Sequence, residues 1–167
     1  GWMAVFGARQ GGWTSHAFVL FARAFDNQRG CYNRTGDEHQ ADSDIPRNQR
    51  MTIEALGKNC TFTLAGESSP AVTITTNDNS VIEDCTNNLF IFDTNTGGAG
   101  EDKRDNSYVY MKLYGCEIYE GETLVRQYVP IVDSEGNGGL KDKITGETIF
   151  SSTSENFILS PDGQSLA

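Results

Sequence analysis

Two short segments constrain the fold of this chain more than any other feature. In Thr61-Phe62-Thr63-Leu64 and Val72-Thr73-Ile74-Thr75 the apolar side chains alternate strictly with threonines. A period of two places successive side chains on opposite faces of an extended chain, so each segment buries one face and leaves the other to solvent. Short stretches rich in β-branched and aromatic residues recur elsewhere between clusters of Gly, Asn, Asp and Ser, the pattern of antiparallel strands joined by turns. The spacing predicts strands over residues 3–7, 16–25, 50–56, 61–64, 71–75, 89–93, 108–119, 124–132, 148–150 and 156–159.

Two runs depart from alternation. Residues 18–21 and 89–92 are apolar at nearly every position, which predicts cover on both faces or an aromatic-lined groove. Around Tyr114-Gly115 the apolar phase slips from Met111 and Leu113 to Cys116 and Ile118, which predicts a β-bulge at Gly115. Glu120-Gly121, residues 135–139, Thr145-Gly146 and Asp162-Gly163 supply the positive φ of tight reversals. The polar stretches 33–48, 77–88 and 94–106 read as loops. Helix signals are scarce, and the strand count suits two packed antiparallel sheets in a single domain spanning 1–167.

Charge narrows the partners. With 23 Asp plus Glu against 13 Lys plus Arg, the formal net charge is -10, which repels phosphate backbones and argues against nucleic acid. No run of about 18 apolar residues is present, so membrane insertion by a helix is not expected. The first residues lack the layout of a secretion signal, and Gly1 reads as a boundary with sequence missing upstream.

Cys31, Cys60, Cys85 and Cys116 stand far apart, without the close pairs of zinc knuckles or redox motifs. Disulfides and buried free thiols both remain open, since four thiols pair in three ways. Asn33-Arg34-Thr35 and Asn59-Cys60-Thr61 match the glycosylation triplet. The residues around His39 form a polar loop in which Asp37, Asp42 and Asp44 supply hard oxygen ligands suited to calcium, although a solvated acidic loop is the simpler account of them. Asp93 and Asn95 beside Gly97-Gly98 form a second oxygen cluster that turn formation also explains.

The segment Tyr114-Gly-Cys-Glu-Ile-Tyr-Glu-Gly-Glu-Thr-Leu-Val-Arg-Gln-Tyr-Val-Pro130, followed by Gly139-Leu-Lys-Asp-Lys-Ile-Thr-Gly146 and Ile149-Phe150, resembles the C-terminal signature of a concanavalin A-like (laminin-G-like) family. That family is common in gut Bacteroidales, Firmicutes and their phages. Upstream, Val5-Phe-Gly-Ala-Arg9, Asn48-Gln49-Arg50 with Thr52-Ile53-Glu54, and Leu89-Phe-Ile-Phe-Asp-Thr-Asn95 resemble its earlier strands in the same order. The resemblance implies an all-β, two-sheet antiparallel jelly-roll sandwich lacking its N-terminal strands. It also implies an extracellular, cell-surface or virion setting. Cys116 departs from the family pattern, standing where an apolar aromatic is typical.

A fold of this kind hosts many activities, so function must be argued from side chains. Retaining glycosidases on such sandwiches need two carboxyls about 5–5.5 Å apart, and no Glu-x-Asp-x-x-Glu string occurs here. His16 and His39 stand without a Gly-x-Ser-x-Gly elbow or a cysteine-protease signature. A noncatalytic protein is therefore expected. Sugar binding requires an aromatic platform with hydrogen-bonding neighbours, and Trp13, Arg23, Phe25, Tyr32 and Tyr108 supply those types. Trp13 reads as a loop residue, although a Trp tucked beneath a loop is the simpler account. Arg9 and Arg126 have a bland reading as partners of nearby carboxylates, and Asp142 with Thr145 and Gly146 reads as a hydrogen-bonded hairpin turn. The expected partner is a glycan, with calcium as a candidate ion. The alternative is a structural or protein-interaction module, such as a virion decoration or fibre component, able to form a homo-oligomer or larger assembly. Glycoside hydrolysis comes third.

Overall fold

A computed structural model describes residues 2–8, 18–23, 29–34, 37–46, 48–77, 88–92 and 111–150. All regular structure among them is antiparallel β, and no helix of the described residues is long and apolar enough to cross a membrane. The chain divides into two compact units, Gly1–Tyr110 and Met111–Ala167.

The first unit holds β1 (Trp2–Ala8), β2 (Phe18–Arg23), β3 (Gly30–Arg34), β4 (Asp37–Gln40), β5 (Met51–Leu56), β6 (Asn59–Leu64), β7 (Val72–Thr75) and β8 (Phe90–Ile91). They form a five-stranded sheet in the order β4-β3-β2-β1-β8 and a three-stranded sheet in the order β5-β6-β7. In the smaller sheet the alternation holds fully along β7, where Val72 and Ile74 are buried while Thr73 and Thr75 face solvent, and only in part along β6, where Cys60 and Phe62 are buried but Thr61, Thr63 and Leu64 are all half-buried. These inward residues join Val5, Tyr32 and Ala41 in one apolar cluster, with Phe6, Ile45, Met51, Ile53 and Ala55 packed against it. The cluster thus draws on both sheets. Full burial of a side chain such as Phe62 or Ile74 contributes about 1.5–3 kcal/mol.

Two positions show how closely these layers approach. A Cβ on Gly30 of β3 would lie 2.7 Å from Ile45 Cδ1 and 3.1 Å from Ile74 Cδ1, so only a bare backbone fits there without displacement. At the β5–β6 reversal, Leu56 pairs with Asn59 across a two-residue turn in which Gly57 takes a φ of 55°, a conformation glycine adopts without strain.

The second unit is a meander of β9 (Cys116–Glu120), β10 (Thr123–Val132), β11 (Gly138–Asp142) and β12 (Thr148–Phe150), paired in the order β12-β11-β10-β9. The expected turns at Glu120-Gly121 and Thr145-Gly146 are present, with Gly121 and Gly146 at positive φ.

Several expectations are corrected. Residues 33–48 were expected to be a loop, yet Asn33 and Arg34 finish β3 and Asp37–Gln40 forms the edge strand β4. Pairing with β3 satisfies the backbone groups of β4 that face it, even though the β4 side chains are all polar. Residues 138–139 open β11 instead of completing a turn, because Gly139 admits Phe150 so closely that a Cβ would sit 2.9 Å from its Cδ1. The bulge predicted at Gly115 is not there. Residues 111–115 carry no strand, and the register shift falls between Leu124 and Arg126 on the partner strand β10. The strand expected at 156–159 lies outside the described residues.

Candidate functional site

Edge strand β4 and the end of β7 bring three polar side chains together. Alternation along β4 sets Asp37 and His39 on one face, both half-buried, with Glu38 and Gln40 exposed on the other. His39 Nε2 lies 3.1 Å from Asp37 Oδ1, and their side chains retain 31% and 30% exposure. Just beyond β7, the backbone N–H of Asn77 donates to Asp37 Oδ2 at 2.6 Å, and the Asn77 side-chain nitrogen stands 3.2 Å from His39 Nε2. A carboxylate, an imidazole and an amide from segments far apart in sequence therefore share one partly open spot. Beside them, Thr75 Oγ1 donates to Asn59 Oδ1 at 2.9 Å, and the Thr76 N–H donates to the Lys58 carbonyl at 2.9 Å, tying the β7 end to the β5–β6 turn.

The side chains singled out from sequence fall differently. Tyr32 is completely buried, and its hydroxyl donates to the Gly57 carbonyl at 3.0 Å. Burial, with Cys60 nearby, pushes its phenol well above the ordinary value. In that place it joins the core and offers no ring face to solvent. Arg23 closes β2 opposite Trp2. Trp13, Phe25 and Tyr108 lie outside the described residues, as do Asp93 and Asn95. Asp42 and Asp44 are exposed beyond β4 and are not gathered with Asp37. Among the described residues, no group of three or more His, Cys, Asp or Glu is placed to hold a metal ion. His39 and Asn77 were missed as partners of Asp37 because the first stood in an expected loop and the second at the start of another. The signal that could have found His39 is the Asp37-x-His39 spacing, which shares a face only if the segment is extended, whereas no local signal points to Asn77.

A second polar centre has a different character. Asp142, at the end of β11, is 1% exposed. Its Oδ1 accepts the N–H groups of Gln127 at 3.0 Å and Ile144 at 2.9 Å, and its Oδ2 accepts the Thr145 hydroxyl at 2.9 Å with Arg126 Nε 3.5 Å away. Burial pushes this carboxyl up, but these donors and the guanidinium outweigh burial and hold it below the ordinary value of 3.8. The turn reading of Asp142, Thr145 and Gly146 is borne out, as is the carboxylate partner of Arg126. Asp133 is lowered mainly by the Asn137 side chain and backbone N–H, which it accepts at 2.8 and 2.7 Å. Both carboxylates serve the fold of their hairpins.

Cys31, Cys60 and Cys116 are free thiols, and Cys85 lies outside the described residues. Burial raises Cys31 well above the ordinary thiol range and pushes Cys60 up to about 12, so neither is a ready nucleophile. Of the two glycosylation triplets, Asn33 is buried and Asn59 is exposed. No family model, curated protein or solved structure matches the chain.

Proposed function

We propose that the protein binds a carbohydrate without catalysing a reaction, and that the Asp37, His39 and Asn77 cluster forms part of its ligand surface. The observation that carries this reading is the convergence of carboxylate, imidazole and amide at a half-open strand edge, where their mutual contacts restrict them. Such a set both donates and accepts, as a polyol requires, and pre-positioning reduces the entropy lost on binding. Trp13, with Arg23 and Tyr108, remains the proposed source of a stacking face and added hydrogen bonds. The all-β antiparallel sheets fit a jelly-roll sandwich of concanavalin A-like type, and a surface, secreted or virion protein is the setting proposed for it.

A glycan array probed with the full chain, with and without calcium, tests this. Binding that Asp37→Ala and Trp13→Ala each abolish is the expected result, and silence across the array overturns it. A second reading, a structural or protein-interaction module, draws on Ile149 and Phe150, each 43% exposed on edge strand β12. Concentration-dependent oligomerisation lost in Phe150→Ser, together with a silent array, favours that reading.

A further inference from the structure

Asn137 is the only asparagine in the sequence that a glycine follows, in the run Gly136-Asn137-Gly138-Gly139. Glycine carries no Cβ to obstruct its own nitrogen, so that nitrogen can reach the carboxamide carbon of the residue before it. The pair stands where the chain returns from β10 into β11, with Asn137 half-buried and Gly138 opposite Val132. There Asp133 holds three groups of the one asparagine. The Asn137 N–H donates to Asp133 Oδ1 at 2.7 Å, its Nδ2 donates to Oδ2 at 2.8 Å, and its carbonyl accepts the Asp133 N–H at 3.0 Å. Closing a ring onto the Gly138 nitrogen swings the carboxamide toward the following peptide and breaks the bond to Oδ2. While that bond lasts, the carboxylate also leaves the carboxamide carbon richer in electrons and its nitrogen a poorer leaving group.

We propose that Asn137 is a site of spontaneous deamidation and that Asp133 restrains the reaction. The Gly138 nitrogen gives its proton to hydroxide and bonds to Asn137 Cγ. The bond from Cγ to Nδ2 breaks, and that nitrogen leaves as ammonia with a proton taken from water. Water then opens the cyclic imide at either carbonyl, giving aspartate or isoaspartate, so the net change is amide plus water to acid plus ammonia. The product sets a second carboxylate against that of Asp133 where the 2.8 Å bond stood, and like charges so close disfavour each other. The isoaspartate isomer also adds an atom to the main chain just before β11. Conversion is therefore a one-way loosening of the β10–β11 hairpin. The inference concerns the second unit and does not rest on the carbohydrate reading.

Incubation of the full chain in warm, mildly alkaline buffer, with peptide mapping by mass spectrometry at intervals, tests it. The same chain unfolded in urea reports the unrestrained rate. Asn137 is expected to convert before any other asparagine in the unfolded chain. In the folded parent it is expected to convert at least about tenfold more slowly, the scale of one hydrogen bond to a charged group, and to regain speed in a folded Asp133→Ala. Retention of the amide at Asn137 in the unfolded chain overturns the site. A rate in folded Asp133→Ala equal to or below that of the folded parent overturns the restraint. Melting curves report folding. If Asp133→Ala does not fold, Asp133→Asn decides: it keeps an acceptor for the backbone N–H groups but holds the side-chain amide only by a weaker neutral hydrogen bond. Conversion no faster there than in the parent overturns the proposal.

Discussion

The described residues of the two units bury different mixtures of side chain, mainly apolar with Asn33, Arg34 and Thr76 in the first and, glycines aside, a single carboxylate in the second. In Gly1–Tyr110 the buried cluster is apolar, built from Phe62, Ile74, Val72 and their neighbours, and the polar trio of Asp37, His39 and Asn77 sits at its rim. Among the described residues of Met111–Ala167, the most deeply buried large side chain is a carboxylate, Asp142, encircled by four donors. Its environment is arranged to close a hairpin, so a ligand gains little access to it. Asp37 retains solvent access, with the His39 imidazole beside one carboxylate oxygen and the Asn77 backbone N–H on the other. The difference lies in enclosure: two backbone N–H groups, a hydroxyl and a guanidinium seal Asp142 from solvent, whereas the Asp37 side chain keeps 30% exposure beside His39 and the Asn77 N–H.

Four substitutions and a change of pH test this contrast. Phe62→Ala removes a central apolar side chain from the first unit and is expected to cost about 3–5 kcal/mol in urea unfolding. A loss under about 1 kcal/mol contradicts an apolar core there. Gly139→Ala comes next at about 1–3 kcal/mol, since its Cβ would meet the Ile149 backbone oxygen at 2.9 Å. Gly30→Ala should cost less, because its nearest obstacle is the mobile end of Ile45. Tyr32→Phe deletes the hydrogen bond to Gly57 and is expected to cost about 0.5–1.5 kcal/mol by the same measurement. Acid is the mildest perturbation. Asp142 and Asp133 both lie below their ordinary 3.8, so the stability they contribute is complete above that value and is lost as pH falls through their folded pKa. Amide signals of β10 and β11 should therefore hold steady at neutral pH and weaken below about pH 4.

How much of this was legible in the sequence follows from what each residue's neighbours reveal along the chain. Val72-Thr73-Ile74-Thr75 announced its burial because alternation is a local property, and Thr61-Phe62-Thr63-Leu64 did so only at Phe62, its other three side chains being half-buried. β3, which reads Gly30-Cys31-Tyr32-Asn33-Arg34, was hidden: it is buried at every position, yet Gly, Asn and Arg resemble loop residues until pairing with β2 and β4 is known. β4 was hidden for the opposite reason, since an edge strand of Asp, Glu, His and Gln shows no apolar period. The candidate site suffered most. Asp37 was grouped as a calcium ligand with Asp42 and Asp44, its neighbours in sequence, when its neighbours in space include His39 and Asn77. Tyr32 had the composition of a sugar platform, and only its contacts revealed it as core.

Residue-resolved hydrogen exchange on Asp142→Ala and Asp37→Ala tests the contrast most directly. The account predicts that Asp142→Ala speeds exchange at Gln127 and Ile144, whose N–H groups lose their acceptor. It predicts that Asp37→Ala speeds exchange at Asn77 while Phe62 and Ile74 stay protected. Unchanged exchange at Gln127 and Ile144, or loss of protection at Phe62 and Ile74 when Asp37 is removed, contradicts it.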